Sequence, residues 1–318
     1  MTTGVIEGIP PDPILERREM VQRVAARTLG RRIRISKAMV ALCGVALVLA
    51  LVPLFAILYS LVQKGLRWWN LDFFTQTPQF PSLLDPNQIG GISNAIIGSL
   101  VIDGIAALFA IPIGVAAGLF LAESTSRFAR ALRTTAEIMT GLPSILLGIF
   151  AYQMIVIGFD EWGVKLPGIG FSAIAGSFAI GILMIPIIMK AAETALRGVP
   201  VAIREAGLAL GARRGVIARR VVIPTALPGL VTAVLLAFSR AVGETAPILW
   251  VIGASTMVTW NPKKEMASMP LQIFQSATSP YLSLREEAWG IALLLVVIVL
   301  VMNLSSRLFA AWLQKERR

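Results

Sequence analysis

The sequence predicts an all-α, polytopic membrane protein with six membrane-spanning helices and both termini in the cytoplasm. Composition, block length and charge distribution carry that prediction. Of 318 residues, 56% are hydrophobic and 15% charged, with mean hydropathy +0.76, and the apolar residues fall in long blocks rather than amphipathic stripes. A bilayer core about 30 Å thick needs roughly 20 apolar residues in a helix. Six blocks meet or approach that length: Ala38 to Val62, Ser93 to Leu121, Ile138 to Phe159, Phe171 to Met189, Ala226 to Ile252 and Ala288 to Leu308. They are too long for barrel strands, and backbone groups in lipid must be satisfied internally, so helices follow.

Charge fixes the orientation. With the N-terminus inside, 22 of the 29 Lys and Arg fall in inside segments and six in outside loops, leaving Arg240 within a span. This is the positive-inside bias. It accounts for the net charge of +11 and makes nucleic acid a poor partner.

Taken in order, residues 1–37 read as an arginine-rich cytoplasmic tail, with PPDP at Pro10 to Pro13 and a helix from Ile14 to Thr28. The tail anchors topology, and its arginines suit anionic lipid headgroups. Residues 38–62 form an uncleaved anchor helix. Cys43 follows the bulky Leu42 and precedes most of the apolar run, which argues against a lipoprotein cleavage site. WWNLDFF, Trp68 to Phe74, has the aromatic content of a membrane interface. The core of five further spans covers residues 90–310. Asp103 lies about ten residues into the second span and there pairs across helices, stays protonated or faces water. The inside loop 190–225 reads as two short helices, with Pro200 at a first helical position and Gly211 at a helix end. Residues 311–318 are a cytoplasmic tail.

One cysteine and no histidine exclude an intrachain disulfide, a Cys/His zinc site and a His-based triad. With no G-x-x-x-x-G-K-[ST] loop, the chain does not hydrolyse nucleotide by itself. An intramembrane enzyme is thereby disfavoured, and the expectation is a transport subunit that holds no cofactor or metal.

The inside loop reads REAGLALGARRGVIARRVVIPTALPG, Arg204 to Gly229. It resembles the membrane subunits of bacterial ABC importers, whose loop carries E-A-A, three residues, Gly, nine residues, then I-x-L-P. Glu205, Ala206, Gly211 and Pro224 match in register, while Gly207, Val221 and Ile223 depart. In that family the loop is a knob that docks into the ATPase subunit. Glu205, Ala206, Gly211 and Pro224 are therefore expected to couple to an ATPase, and Arg213 and Arg214 are further docking candidates. GGISNAIIGSL, GLPSILLGIF, SRAVGETAPIL and MASMPLQIF together are similar to the phosphate importer permeases of the PstA type. The resemblance implies a type I (MetI-like) permease fold in the bacterial plasma (inner) membrane. It implies a PstC-type partner permease, a PstB-type ATPase dimer that holds ATP and Mg, and an extracytoplasmic phosphate-binding protein. Another oxyanion, such as phosphonate, molybdate or sulfate, is the alternative cargo; the loop motif disfavours an ATPase-independent transporter or channel. In MKAAET, Lys190 stands where the family commonly has arginine, with Glu193 one turn on.

The fifth span carries Arg240 and Glu244. Counting from Pro228, Arg240 lies about 18 Å into the helix, near the bilayer middle. A charge there needs a partner or an aqueous path. Two readings stand: an ion pair that neutralises itself, or an anion gate in which Arg240 offers its planar fork to an oxyanion and Glu244 weakens the grip. Lys190 and Glu193 are candidates for the same path.

Overall fold

The computed structural model describes residues 13–79, 90–159 and 166–315, and the chain divides into two units, residues 1–60 and 61–318. Most of PPDP, the expected outside Lys165 and the tail from residue 316 lie outside the described residues. Through the first unit runs α1 (Pro13–Gly65), one continuous helix about 80 Å long at 1.5 Å per residue. The expected break between tail and anchor is absent because Arg, Lys, Ala and Leu all favour helix. Leu47, Leu49 and Phe55 are about 60% exposed along its apolar stretch, a surface that lipid or another protein must cover.

In the second unit, α2 (Leu71–Thr75) is capped by Asn70, whose side chain accepts from the Phe73 N–H at 2.7 Å. WWNLDFF is more deeply held than an interfacial belt. Phe73 is 3% exposed, and the Trp69 indole N–H donates to the Gly290 carbonyl at 3.2 Å.

The frame is the pair α3 (Ser93–Glu123) and a later helix, Ala173–Arg197. Glycines bring their backbones together: a Cβ on Gly114 would lie 2.7 Å from Ile188, and one on Gly118 would lie 2.7 Å from the Ala192 Cβ. A Cβ on Gly181 would lie 2.0 Å from the Phe109 ring. Partner numbers rise together, so the two helices run parallel. The chain between them must therefore return across the same thickness.

That return is not the straight helix expected from Ile138 to Phe159. It is α4 (Arg127–Gly141) and α5 (Ser144–Ala151), bent by 101°. The break is at Gly141-Leu142-Pro143. Pro143 lacks an N–H and pushes Leu142 to extended backbone, φ −71° and ψ 141°. After α5 a π-wound turn, Tyr152–Ile157, leads to β1 (Gly158–Phe159), paired antiparallel with β2 (Leu166–Pro167). This two-residue ladder is the one departure from all-α among the described residues. Among the described residues five helices are long and apolar enough to cross a membrane, six with the bent pair counted as one span.

The parallel partner is α6 (Ala173–Arg197), capped by Ser172. Then come α7 (Val201–Ala209) and α8 (Arg214–Ile217), which passes through a π-wound stretch, Ala218–Val222, into α9 (Ile223–Ala241). Instead of a second separate loop helix there is one continuous span, Arg214–Ala241. The expected fifth span, Ala226 to Ile252, ends early: beyond Ala241 come turns through residue 252. Finally, α10 (Met269–Ala277) and α11 (Leu282–Lys315) complete the unit. Segments far apart in sequence meet here. In GLPSILLGIF, a Cβ on Gly148 would lie 2.6 Å from the Pro247 carbonyl of ETAPIL. Ser99 of GGISNAIIGSL accepts from the Met269 N–H of MASMPLQIF at 2.9 Å.

Candidate functional site

Three groups of residues stand out, and α9 joins two of them. At one end of the unit, α7 is closed by a Schellman arrangement. The Ala212 N–H donates to the Gly207 carbonyl at 3.2 Å and the Gly211 N–H to the Leu208 carbonyl at 2.9 Å, with Gly211 at φ +78°. Open space surrounds Gly211, so conformation and not crowding requires glycine there. Gly207, where the loop motif has alanine, is fixed by packing: its Cβ would lie 3.0 Å from Ile217. Glu205, Ala206, Arg213 and Arg214 are exposed, and Pro224 is half-buried in the first turn of α9. The knob is tied down by Arg204, which pairs with Glu123 and donates to the Leu196 carbonyl at 2.7 Å.

The second group surrounds Glu193, which does not pair with Lys190. Its carboxylate, 9% exposed, accepts from Arg133 at 2.6 Å and meets Arg197 at 3.0 Å. Both arginines also reach the Leu121 carbonyl, at 3.5 and 3.2 Å, satisfying an otherwise unpaired acceptor in the last turn of α3. The trio clamps α3, α4 and α6 together. Lys190 is separate and half-buried, donating to the Thr140 hydroxyl at 3.3 Å. Sequence reasoning counted Arg133, Arg197 and Arg204 only as topology signals. The Glu193 to Arg197 spacing of four on one helix was the signal available.

The third group is Arg240 and Glu244. Helix α9 stops between them, so they face each other across a helix end rather than along a helical turn. Arg240 Nε lies 3.4 Å from Glu244 Oε1, with the arginine side chain 63% exposed and the glutamate 20%. The cation stands in the last turn, where the helix dipole favours positive charge. Depth follows from register. Gly229 packs on Ala195, its Cβ 3.0 Å from the alanine Cβ, and Arg240 is eleven residues, about 16 Å, further along α9. The stretch of α6 from Ala195 back to Ala173 is about 33 Å long, so Arg240 is level with its middle. From there the non-helical segment climbs to the start of α6, where Ser172 donates to the Val251 carbonyl at 3.2 Å and Ala173 to the Lys264 carbonyl at 3.1 Å. Non-helical backbone at membrane depth belongs where protein buries it or water reaches it. Ile248, Val251 and Ile252 are buried, while Arg240 is open. Asp103 is 7% exposed, and none of the described residues pairs with it.

Residues 110–318 match the family described as a binding-protein-dependent transport system inner membrane component. The phosphate transport system permease protein PstA of Haemophilus influenzae is 37% identical over 86% of this chain and 93% of its own. PstA 1 of Mycobacterium tuberculosis strain H37Rv is 33% identical over 92% of each.

The chain belongs to the PstA family of binding-protein-dependent transport permeases.

Solved structures of the wider fold agree. A chain of a bacterial alginate ABC transporter superposes with TM-score 0.58 at 14% identity, covering 89% of this chain and 96% of that one. One from the MetNI methionine ABC transporter gives 0.52 at 20%, covering 70% and 94%. The permease thus has the MetI-like helical architecture of ABC importers.

Proposed function

We propose that this chain is the membrane-spanning permease subunit of an ATP-driven inorganic phosphate importer in the bacterial plasma membrane. It forms half of the translocation path beside a PstC-type permease. A PstB-type ATPase dimer holds ATP and Mg and docks on the knob, and an extracytoplasmic phosphate-binding protein delivers cargo. The chain itself holds no cofactor. The positive-inside bias orients it: both termini, α7 and the Glu193 cluster face the cytoplasm, and the Ser93 and Ala173 ends face outward. In this reading residues 1–37 and 311–318 are cytoplasmic tails, 38–62 the anchor and 90–310 the core, with 190–225 as coupling loop.

One observation carries the mechanism. The span Arg214–Ala241 is a single helix that begins at the coupling knob and ends on Arg240, about 39 Å away. ATPase closure on Glu205, Ala206 and the turn at Gly211 therefore moves one continuous helix, entering the membrane at Pro224, whose far end carries the guanidinium. A passing phosphate offers that fork two oxygens. The single 3.4 Å contact to Glu244 holds Arg240 weakly enough to be exchanged and supplies repulsion that speeds release. Lys190, half-buried at the cytoplasmic end of α6, is a second cation on the exit side. Glu193 acts as the anchor of the Arg133 and Arg197 clamp.

Cargo is tested with the assembled complex and its binding protein: phosphate stimulates ATP hydrolysis, and sulfate, molybdate and phosphonate do not. Stimulation by another oxyanion alone would overturn the phosphate reading.

A further inference from the structure

A cavity of about 330 Å³ opens among the N-terminal end of α3, the loop after α9, α10 and the first turns of α11. Among the described residues, three buried side-chain oxygens have no hydrogen-bond partner: Asn94 Oδ1, Gln272 Oε1 and Glu287 Oε1. All three residues line this cavity. They are 4%, 8% and 1% exposed. Leaving such acceptors unpaired is costly, most of all for a carboxylate, and three of them in residues that border one space point to a missing donor or cation.

Neighbouring bonds hold the site in place. The Asn94 amide nitrogen donates to the Ser255 carbonyl at 2.8 Å, which orients Oδ1 as the free acceptor. Ser276 follows Gln272 by one helical turn on α10 and lines the same space. The described lining has no lysine or arginine, so an anion finds no counter-charge and the cavity is no phosphate subsite. One carboxylate with two amide oxygens is a hard, oxygen-only set carrying a single negative charge. No group of three acidic or thiol side chains suited to a metal ion occurs among the described residues, so the charge matches a monovalent ion rather than a divalent one.

We propose that this cavity is a binding site for a small monovalent cation of the sodium class, held by Glu287, Asn94 and Gln272 with water completing the shell. Its volume admits the ion and several waters at about 30 Å³ each. The ion neutralises Glu287 and ties α3, α10 and α11 together beside the non-helical segment that follows Arg240.

The test uses the purified complex in N-methylglucamine chloride, titrated with sodium, potassium or calcium chloride at constant ionic strength while the melting temperature is read. Saturable stabilisation by sodium or potassium, about 5 °C near saturation, is expected. It should vanish in Glu287→Gln and shrink in Gln272→Leu. If Glu287→Gln does not assemble, the wild-type titration and Gln272→Leu decide. No cation-specific shift, a response to calcium alone, or undiminished sodium responses in the variants would overturn the proposal.

Discussion

Gly211 separates conformation from contact. Its φ of +78° closes α7, and a Cβ there meets nothing within 4 Å, so a side chain acts through backbone strain alone. An L-residue other than glycine in this region costs about 1–2 kcal/mol, asparagine being the readiest exception and β-branched residues the worst. Since 1.4 kcal/mol is tenfold, Gly211→Ala should lower the population of the closed turn by about 5- to 30-fold, Gly211→Asn by less and Gly211→Val by more. If the knob docks in this conformation, phosphate uptake per ATP should fall in the order Asn, Ala, Val. Two assays follow the series: ³²P-phosphate uptake by proteoliposomes carrying the whole complex, and hydrogen exchange at the Gly211 and Ala212 amides. An asparagine variant as damaged as the valine one, with exchange unchanged in both, would refute the strain argument and assign the effect to side-chain volume at the docking face.

Further predictions concern the frame. Arg133→Ala leaves the buried Glu193 with Arg197 alone and should destabilise the permease by about 1–3 kcal/mol; Glu193→Gln in the same chain should recover part of that, read by thermal unfolding in detergent. Gly118→Ala forces a Cβ to 2.7 Å from the Ala192 Cβ and 2.8 Å from the Met189 carbonyl and should cost about 1–3 kcal/mol, with Ala192→Gly restoring only part because the backbone contact stays; a fully stable single variant would show that the α3 and α6 contact yields. Trp69→Phe removes the bond to the Gly290 carbonyl and should cost about 1 kcal/mol, measured in the same way.

The helical class and the number of crossings were legible because bilayer thickness sets a length that apolar runs either reach or miss. Where helices break was less so. Pro143 stood in plain view, but counting apolar residues from Ile138 to Phe159 ran straight through it, since hydropathy is blind to the missing N–H. The same count carried the fifth span past Gly243 and Pro247 and made Arg240 and Glu244 neighbours on a helix they do not share. Matching the coupling-loop motif located Gly211 and Pro224, while the reason for Gly207 waited on Ile217, a contact set by the turn. Charge counting set an expected orientation and hid the chemistry: Arg133 and Arg197 entered as positive-inside signals, although their partner is Glu193. Glu287 drew no notice because it precedes the apolar block beginning at Ala288, and only the packing of α3 against α10 and α11 encloses it.

The most direct test of the account is phosphate uptake by the reconstituted complex carrying Arg240→Ala. The guanidinium is 63% exposed and meets one carboxylate at 3.4 Å, so its loss should leave assembly, melting temperature and ATPase association near wild type. Uptake should fall by at least about tenfold, the equivalent of 1.4 kcal/mol, the low end for a charged hydrogen-bonding partner. Uptake close to wild type in an intact complex would contradict a role for Arg240 in the phosphate path and leave it as an ion pair that ends a helix.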